Sequence, residues 1–313
     1  MKNIYKNSFY NLNKAKKILE KNNIIAVPTE TVYGLAGNAY SKNSIKKIYK
    51  LKKRPKINPL IVHYYDLNSI KKDVYINESF VKLYKRFSPG PLTYILKKKK
   101  GSKISHLANA NLKTIAIRFP KKRSMRKLLR SLKFPLAIPS ANKSSALSPV
   151  SGLDVFDEFG YKIKFILDDG PSEIGLESTV VNLEGKAQIL RPGAITKNEI
   201  GKVLGKKIIF SNKIKKITSP GLFKKHYSPG IPIRLNWKKM DDKAAFIVFG
   251  KKYKNSKNVF NLSKNSNLEE AARNLYKTLR KIKNLGYKKI NVARIPKNKI
   301  GIAINDRLKK ASY

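Results

Sequence analysis

Pro28-Thr29-Glu30-Thr31-Val32-Tyr33-Gly34-Leu35 follows directly on the apolar run Ile24-Ile25-Ala26-Val27. A short strand that runs out into hydroxyls, a carboxylate and a glycine turn is how open α/β sheets build ligand sites at their strand ends. The arrangement recurs along the chain. Lys52-Lys53-Arg54-Pro55, Asn58-Pro59-Leu60-Ile61-Val62-His63, Ser88-Pro89-Gly90-Pro91-Leu92-Thr93, Ser140-Ala141-Asn142 and Glu177-Ser178-Thr179-Val180 all set polar or Pro/Gly loops against apolar runs. The sequence therefore predicts one site dispersed over many loops.

Outward from that stretch, helical and strand patterns alternate over the first ~200 residues. Leu12, Ala15, Ile18 and Leu19 keep helical spacing before the first strand, and Ile45, Ile48 and Tyr49 keep it after Ser41, an N-cap residue type. Strands are expected at 60–63, 93–96, 114–119, 136–138, 166–168, 179–183 and 188–190, giving a mixed, twisted α/β sheet. From Gly205 to about Pro232 the pattern gives way to Lys-rich sequence with turn signals at Ser219-Pro220-Gly221 and Ser228-Pro229-Gly230, which reads as a linker. Beyond it, strands at 245–249 and 290–293 and helices at 268–285 and 300–311 predict a smaller, Rossmann-like α/β domain. The organisation is thus 1–204, a linker 205–233 and 234–313.

The chain has 313 residues of which 41% are hydrophobic, enough for a sizeable core and more than one domain. Its longest apolar runs, such as Ala244 to Phe249, are strand-sized and far short of the roughly 18 residues of a membrane helix. No apolar signal core follows Met1, and the expected location is the cytoplasm. With no cysteine there are neither disulfides nor thiolate metal sites. The net charge of +50 admits two readings: a nucleic-acid footprint, or a solvated surface from a coding sequence rich in Lys, Asn and Ile codons. The excess is spread over nearly every segment, which favours the second, although such a field attracts ATP, bicarbonate and RNA alike.

Several residues carry chemistry. In 114–119, Ile115, Ile117 and Phe119 alternate with Thr114, Ala116 and Arg118, so that Arg118 offers a planar fork to a carboxylate or phosphate on one face. The competing reading is an arginine facing solvent. Lys52 and Arg54 stand where a helix is stopped by Pro55, either complementing the helix dipole or converging with Asn58 and His63 on a ligand. Ser140, Asn142, Ser144, Ser145 and Ser148 form either a phosphate-holding loop or an ordinary polar turn. There is no Walker A pattern, no GxGxxG and no HxxxH or HExxH array, and no Ser/His/Asp triad is recognisable. The residue types favour binding of anions and catalysis by positioning.

The order of these motifs resembles the YrdC-like threonylcarbamoyl-AMP synthases in the long form with a C-terminal domain. The resemblance rests on Pro28 to Leu35, Lys52-x-Arg54, Asn58-Pro59-Leu60, Ser88 to Pro91, Ile117 to Pro120, Ser140-x-Asn142, Glu177 to Val180 and Leu190-Arg191-Pro192-Gly193, with His226-Tyr227 and Ala303 to Leu308 marking the long form. It implies a YrdC-like fold with a Rossmann-like second domain. It also implies an ATP-dependent reaction in which L-threonine and bicarbonate or CO2 give N-carboxy-threonine, which attacks the α-phosphate of ATP, releases pyrophosphate and forms threonylcarbamoyl-AMP. A separate transferase complex then modifies tRNAs that read codons starting with A. By resemblance, Thr31, His63, Arg118, Ser178 and the backbone at Ile138 lie near threonine, and Arg54, Asn58, Thr114, Ser140, Ser148, Arg191 and Tyr227 near ATP. Lys52, Arg54, Ser140 and Asn142 form the catalytic set, and Mg2+ is expected through the ATP phosphates. His226 and Tyr227 are expected to fold back as a lid, against the alternative of a disordered tether. Two rival functions are a non-catalytic double-stranded RNA or tRNA-binding module and a carbamoyl-adenylate-forming domain.

Overall fold

Ile115, Ile117 and Phe119 turn into one apolar cluster and Ala116 into another on the opposite side, so the strand that carries them is buried on both faces. The structure, a computed structural model, describes residues 3–211, 226–238, 241, 243–253 and 256–313. Its larger sheet holds β1 (Ile4–Lys6), β2 (Ile25–Val27), β3 (Gly34–Asn38), β4 (Ile61–His63), β5 (Leu92–Lys97), β6 (Thr114–Arg118), β7 (Leu136–Ala137), β8 (Ile166–Asp168), β9 (Thr179–Asn182), β10 (Gln188–Arg191) and β11 (Ile209–Phe210). They lie in the order β1-β8-β2-β3-β7-β4-β6-β5-β9-β10-β11, with parallel and antiparallel neighbours mixed. The smaller sheet, β12 (Ile233–Arg234), β13 (Ala245–Val248), β14 (Val259–Asn261) and β15 (Ile290–Val292), is all parallel in the order β12-β15-β13-β14.

The expected α/β class with a large mixed sheet and a smaller parallel one is what the chain forms. The stretch 205–233 gives a strand to each sheet, β11 and the start of β12, and the turn at Ser219-Pro220-Gly221 falls outside the described residues. Helix Lys42–Lys52 starts where Ser41 accepts from the Ser44 amide, buries Ile45, Ile48 and Tyr49, and ends at Lys53 in the left-handed region (φ 50°). That end delivers Lys52 and Arg54 to the middle of the molecule. Helices Leu268–Asn284 and Gly301–Ala311 cover the small sheet, and their apolar cluster runs on through Tyr227 to Val32, Leu147, Val150 and Leu176 of the larger part. The core of the small sheet therefore extends onto loops of the larger part.

One departure from the sequence reading matters for the site. Gly34 and Leu35 do not belong to a loop; they open β3, which pairs antiparallel with β2, so the polar loop is the tip of a hairpin. Gly34 is required there by proximity: a Cβ would stand 2.2 Å from Ile138 Cγ2 and 3.0 Å from the Pro139 carbonyl. Gly193 serves likewise, since its Cβ would meet the Thr179 amide nitrogen at 2.3 Å. The hairpin is thereby drawn against the end of β7, and the Gly193 loop against the start of β9.

Candidate active site

Register sets the floor of the site. His63 on β4 pairs with Arg118 on β6, and Arg118 with Thr93 on β5, so three polar side chains share one rung and one face. Arg118 is 4% exposed, which removes the solvent-facing reading. Its guanidinium donates to Glu30 Oε1 (2.6 Å) and Thr31 Oγ1 (2.8 Å) of the hairpin tip and to the Gly90 carbonyl (3.3 Å). Glu30 is in turn held by the Lys121 amide (3.0 Å), and the Thr29 hydroxyl takes the amides of Thr31 and Val32. The loop that decided the fold is thus fixed by a buried ion pair and a local hydroxyl turn. His63 Nδ1 bonds the Ile61 carbonyl (3.2 Å); a carbonyl only accepts, so Nδ1 carries the proton and Nε2 is left as an acceptor. Burial, then Arg118, holds the imidazole neutral, well below its usual pKa.

A second group of cations stands beside this rung. Arg54 donates to the Asn58 carbonyl (3.0 Å), Asn58 Oδ1 (2.6 Å) and the Pro59 carbonyl (2.9 Å). Arg191 donates to the Ser178 carbonyl (3.0 Å) and hydroxyl (3.1 Å), and that hydroxyl meets Thr93 Oγ1 at 2.7 Å. Lys52 Nζ reaches the carbonyls of Ser140 and Asn142, both at 2.5 Å, and so staples the Ser-x-Asn loop to the helix. Among the described residues none of Lys52, Arg54 and Arg191 has a carboxylate partner, although they are 1%, 8% and 4% exposed. Burial pushes Arg54 down to about 10, and burial with Arg54 nearby pushes Lys52 well below its usual value. Buried cations with no carboxylate in direct contact, and only the shared Glu177 nearby, favour the arrival of an anion.

The smaller part of the chain reaches into the same place. Arg307 donates to Glu177 Oε2 (2.8 Å) and the Pro192 carbonyl (3.1 Å), and Tyr276 and Ser148 also donate to the Glu177 carboxylate. Burial alone would raise Glu177, but Arg307, then Arg191 and the hydrogen bonds of Ser148 and Arg307, outweigh it and hold the carboxyl at about 2. Arg307 lies 5.0 Å from the Tyr227 ring centroid. His226 and Tyr227 form a strap fixed by His226 N to the Lys310 carbonyl (3.0 Å) and Ser228 N to the Ser145 carbonyl (2.9 Å).

These residues surround a hollow of about 50 Å3 bordered by Thr31, Arg54, His63, Arg118, Ile138, Ser140, Ser178, Arg191 and the strap. Nine of the expected side chains and backbone positions are therefore gathered, Tyr227 among them. Asn58, Lys52 and Asn142 stand one layer behind, holding Arg54 and the Ser140 loop. Ser148 commits its hydroxyl to Glu177, and Thr114 shares the face of Arg118 but sits four residues, about 13 Å, up the strand. Glu30, Thr93, Glu177 and Arg307 were not singled out by sequence, although all four lie inside quoted motifs. The space that threonine and ATP together would need is not there: 50 Å3 suits about one or two waters, with the buried His226 and Tyr227 of the strap among its borders. Larger hollows of 540 and 460 Å3 lie between the two parts of the chain, away from the buried cations.

A family model described as "Telomere recombination" (Sua5/YciO/YrdC) matches residues 17–193, and one described as "Threonylcarbamoyl-AMP synthase, C-terminal domain" matches 195–312. The chain belongs to the threonylcarbamoyl-AMP synthase family. It is similar to the threonylcarbamoyl-AMP synthase of Pyrococcus abyssi, with 35% identity over 95% of this chain and 93% of that one, and to that of Bacillus subtilis, with 34% over 96% and 92%. The crystal structure of P. abyssi Sua5 complexed with L-threonine superposes with a TM-score of 0.90 at 32% identity, covering 99% of this chain and 96% of the other. Threonylcarbamoyl-AMP synthases are enzymes, and the second family model places this chain among the long forms. Among the described residues no helix is long and apolar enough to cross a membrane, and no group of three or more His, Asp or Glu side chains could cage a metal ion.

The strap carries a pH dependence. Burial, reinforced by Arg54, Lys52 and Arg191 and opposed by Glu177, holds docked His226 down at about 3, whereas a released imidazole titrates near 6.5. The preference for docking is complete above 6.5 and erodes as the pH falls from there towards 3, by up to about tenfold per pH unit. Hydrogen exchange at the His226 and Ser228 amides, corrected for intrinsic rates, is expected to accelerate from pH 7 to pH 5. Constant protection across that interval would contradict the burial of a neutral imidazole.

Proposed function

We propose that this enzyme makes threonylcarbamoyl-AMP from L-threonine, bicarbonate or CO2, and ATP. The threonine nitrogen bonds the carbon of CO2 and loses a proton, giving N-carboxy-threonine. A carbamate oxygen then bonds the α-phosphorus, the bond to the bridging oxygen breaks, and pyrophosphate leaves with the electron pair. The observation that carries the reading is the set of buried cations without carboxylates, Lys52, Arg54 and Arg191, beside the rung of His63, Arg118 and Thr93. Such a site suits a polyanion laid against an amino acid.

On this reading Arg118 and Thr31 hold the threonine carboxylate end, with His63 Nε2 and Ser178 in reach of its polar groups. Arg54 and Arg191 offset the charge that builds on the phosphoryl oxygens and the departing pyrophosphate. Asn58, Ser140, Ser148, Thr114 and Tyr227 are assigned to the nucleotide, and Lys52 with Asn142 keeps the Ser140 loop in place. Glu177 is spent on Arg307, Ser148 and Tyr276, and among the described residues no group of carboxylates and imidazoles could cage Mg2+, which fits this site as an ion carried by the ATP phosphates. The strap, docked again over bound ligands, would keep water from the labile mixed anhydride. A transferase that moves the threonylcarbamoyl group to tRNA would consume the product. Pyrophosphate release measured with each substrate omitted in turn tests the reading. Release is expected only when threonine, bicarbonate and ATP are all present, and release independent of threonine would overturn it.

A further inference from the structure

Thr93 is fully buried beside Arg118 in the rung of the site, yet it does not border the hollow. Among the described residues its hydroxyl has one partner, the Ser178 hydroxyl at 2.7 Å. Ser178 Oγ also receives an N–H from Arg191 at 3.1 Å, and Ser178 does border the hollow. Two hydroxyls joined by one hydrogen bond use one of their two protons, and the other must be satisfied elsewhere. A leftover proton on Thr93 would be sealed in the interior with no acceptor, at the full desolvation cost of an unmade bond. A leftover proton on Ser178 faces the space a ligand enters.

We infer that Thr93 donates to Ser178, that Arg191 fills the second lone pair of the same oxygen, and that the Ser178 O–H is thereby aimed into the hollow as a fixed donor. Thr93 is a positioning residue that never touches substrate. With both lone pairs taken, Ser178 cannot accept; it selects an acceptor oxygen and rejects an ammonium group. On the function proposed above, which this inference deepens, that oxygen belongs to the bound amino acid, either its side-chain hydroxyl or its carboxylate.

Thr93→Val keeps the shape of the side chain and removes the donor, freeing the Ser178 hydroxyl to turn. Threonine binding by calorimetry is expected to weaken about tenfold, the worth of one ordinary hydrogen bond, with kcat changed by less than about threefold. Thr93→Ser should restore affinity, and adding Thr93→Val to Ser178→Ala should cost nothing further, because both remove one donor. A structural role would instead lower the melting temperature and leave the two substitutions additive. If 2-aminobutyrate, which lacks the hydroxyl, is discriminated against about tenfold less by Thr93→Val, the donor meets the side-chain oxygen; equal weakening for both ligands assigns it to the carboxylate. Unchanged threonine affinity in Thr93→Val, or no rescue by serine, overturns the inference. A wild-type protein that binds threonine but releases no pyrophosphate would overturn the reaction instead, and the binding comparison would still decide the role of Thr93.

Discussion

Arg54→Ala is expected to abolish threonine-dependent pyrophosphate release, with a loss of at least about a thousandfold in kcat. The side chain is 8% exposed, and its partners are carbonyls and an amide oxygen rather than a carboxylate. Its positive charge is therefore carried into the interior unneutralised, ready for a developing negative charge and already desolvated. Three hydrogen bonds fix the guanidinium before any ligand arrives, so little reorganisation is left for the reaction itself. Arg54→Lys is expected to rescue poorly, since one ammonium cannot span the Asn58 carbonyl, the Asn58 amide and Pro59 while facing a phosphate. Measured turnover within about tenfold of wild type, in a variant of unchanged melting temperature, would place the chemistry elsewhere.

Arg307→Ala is expected to cost about 3–5 kcal/mol of stability and to loosen the strap. The pair with Glu177 is buried on both sides, and removal of the cation leaves a carboxylate in the core with only hydroxyl donors and Arg191 nearby. The Tyr227 ring loses the guanidinium 5.0 Å from its centroid at the same time. Glu177→Gln combined with Arg307→Met removes both charges and is expected to recover much of the melting temperature but not the activity, because Tyr227 loses the guanidinium over its ring. Equal melting temperatures for Arg307→Ala and wild type would show that the ion pair contributes nothing net.

The class of fold was legible because strand-length apolar runs alternate with helical spacing, and the helix at 42–52 was legible from Ser41, Ile45, Ile48 and Tyr49 alone. The strand Gly34–Asn38 was not, since Gly-Leu-Ala-Gly-Asn has no β-branched or aromatic residue; pairing with β2 and β7, not propensity, makes it a strand. Helices Glu78–Phe87, Arg123–Ser131, Gly152–Phe159 and Lys197–Leu204 and the short strands β1, β11, β12 and β14 also went unread, the strands because two or three residues show no period; β4, β7 and β8 are as short, yet their apolar runs showed them. Most members of the site were visible as motifs. What a sequence could not convey is who holds whom: that Lys52 spends its ammonium on two carbonyls, that Ser148 serves Glu177, and that an arginine 130 residues after Glu177 closes the pair.

The strap has a thermodynamic corollary. On the proposed function, ligands that exceed 50 Å3 enter only while the strap is withdrawn, so that its docking in their absence competes in cis with the first ligand to arrive, before the strap closes over the filled site. Any dissociation constant measured on the intact protein is then an exchange constant, the intrinsic value divided by the fraction of molecules with the strap withdrawn. Substitutions that weaken docking would tighten apparent binding of ligands that do not need the strap, even where they slow turnover.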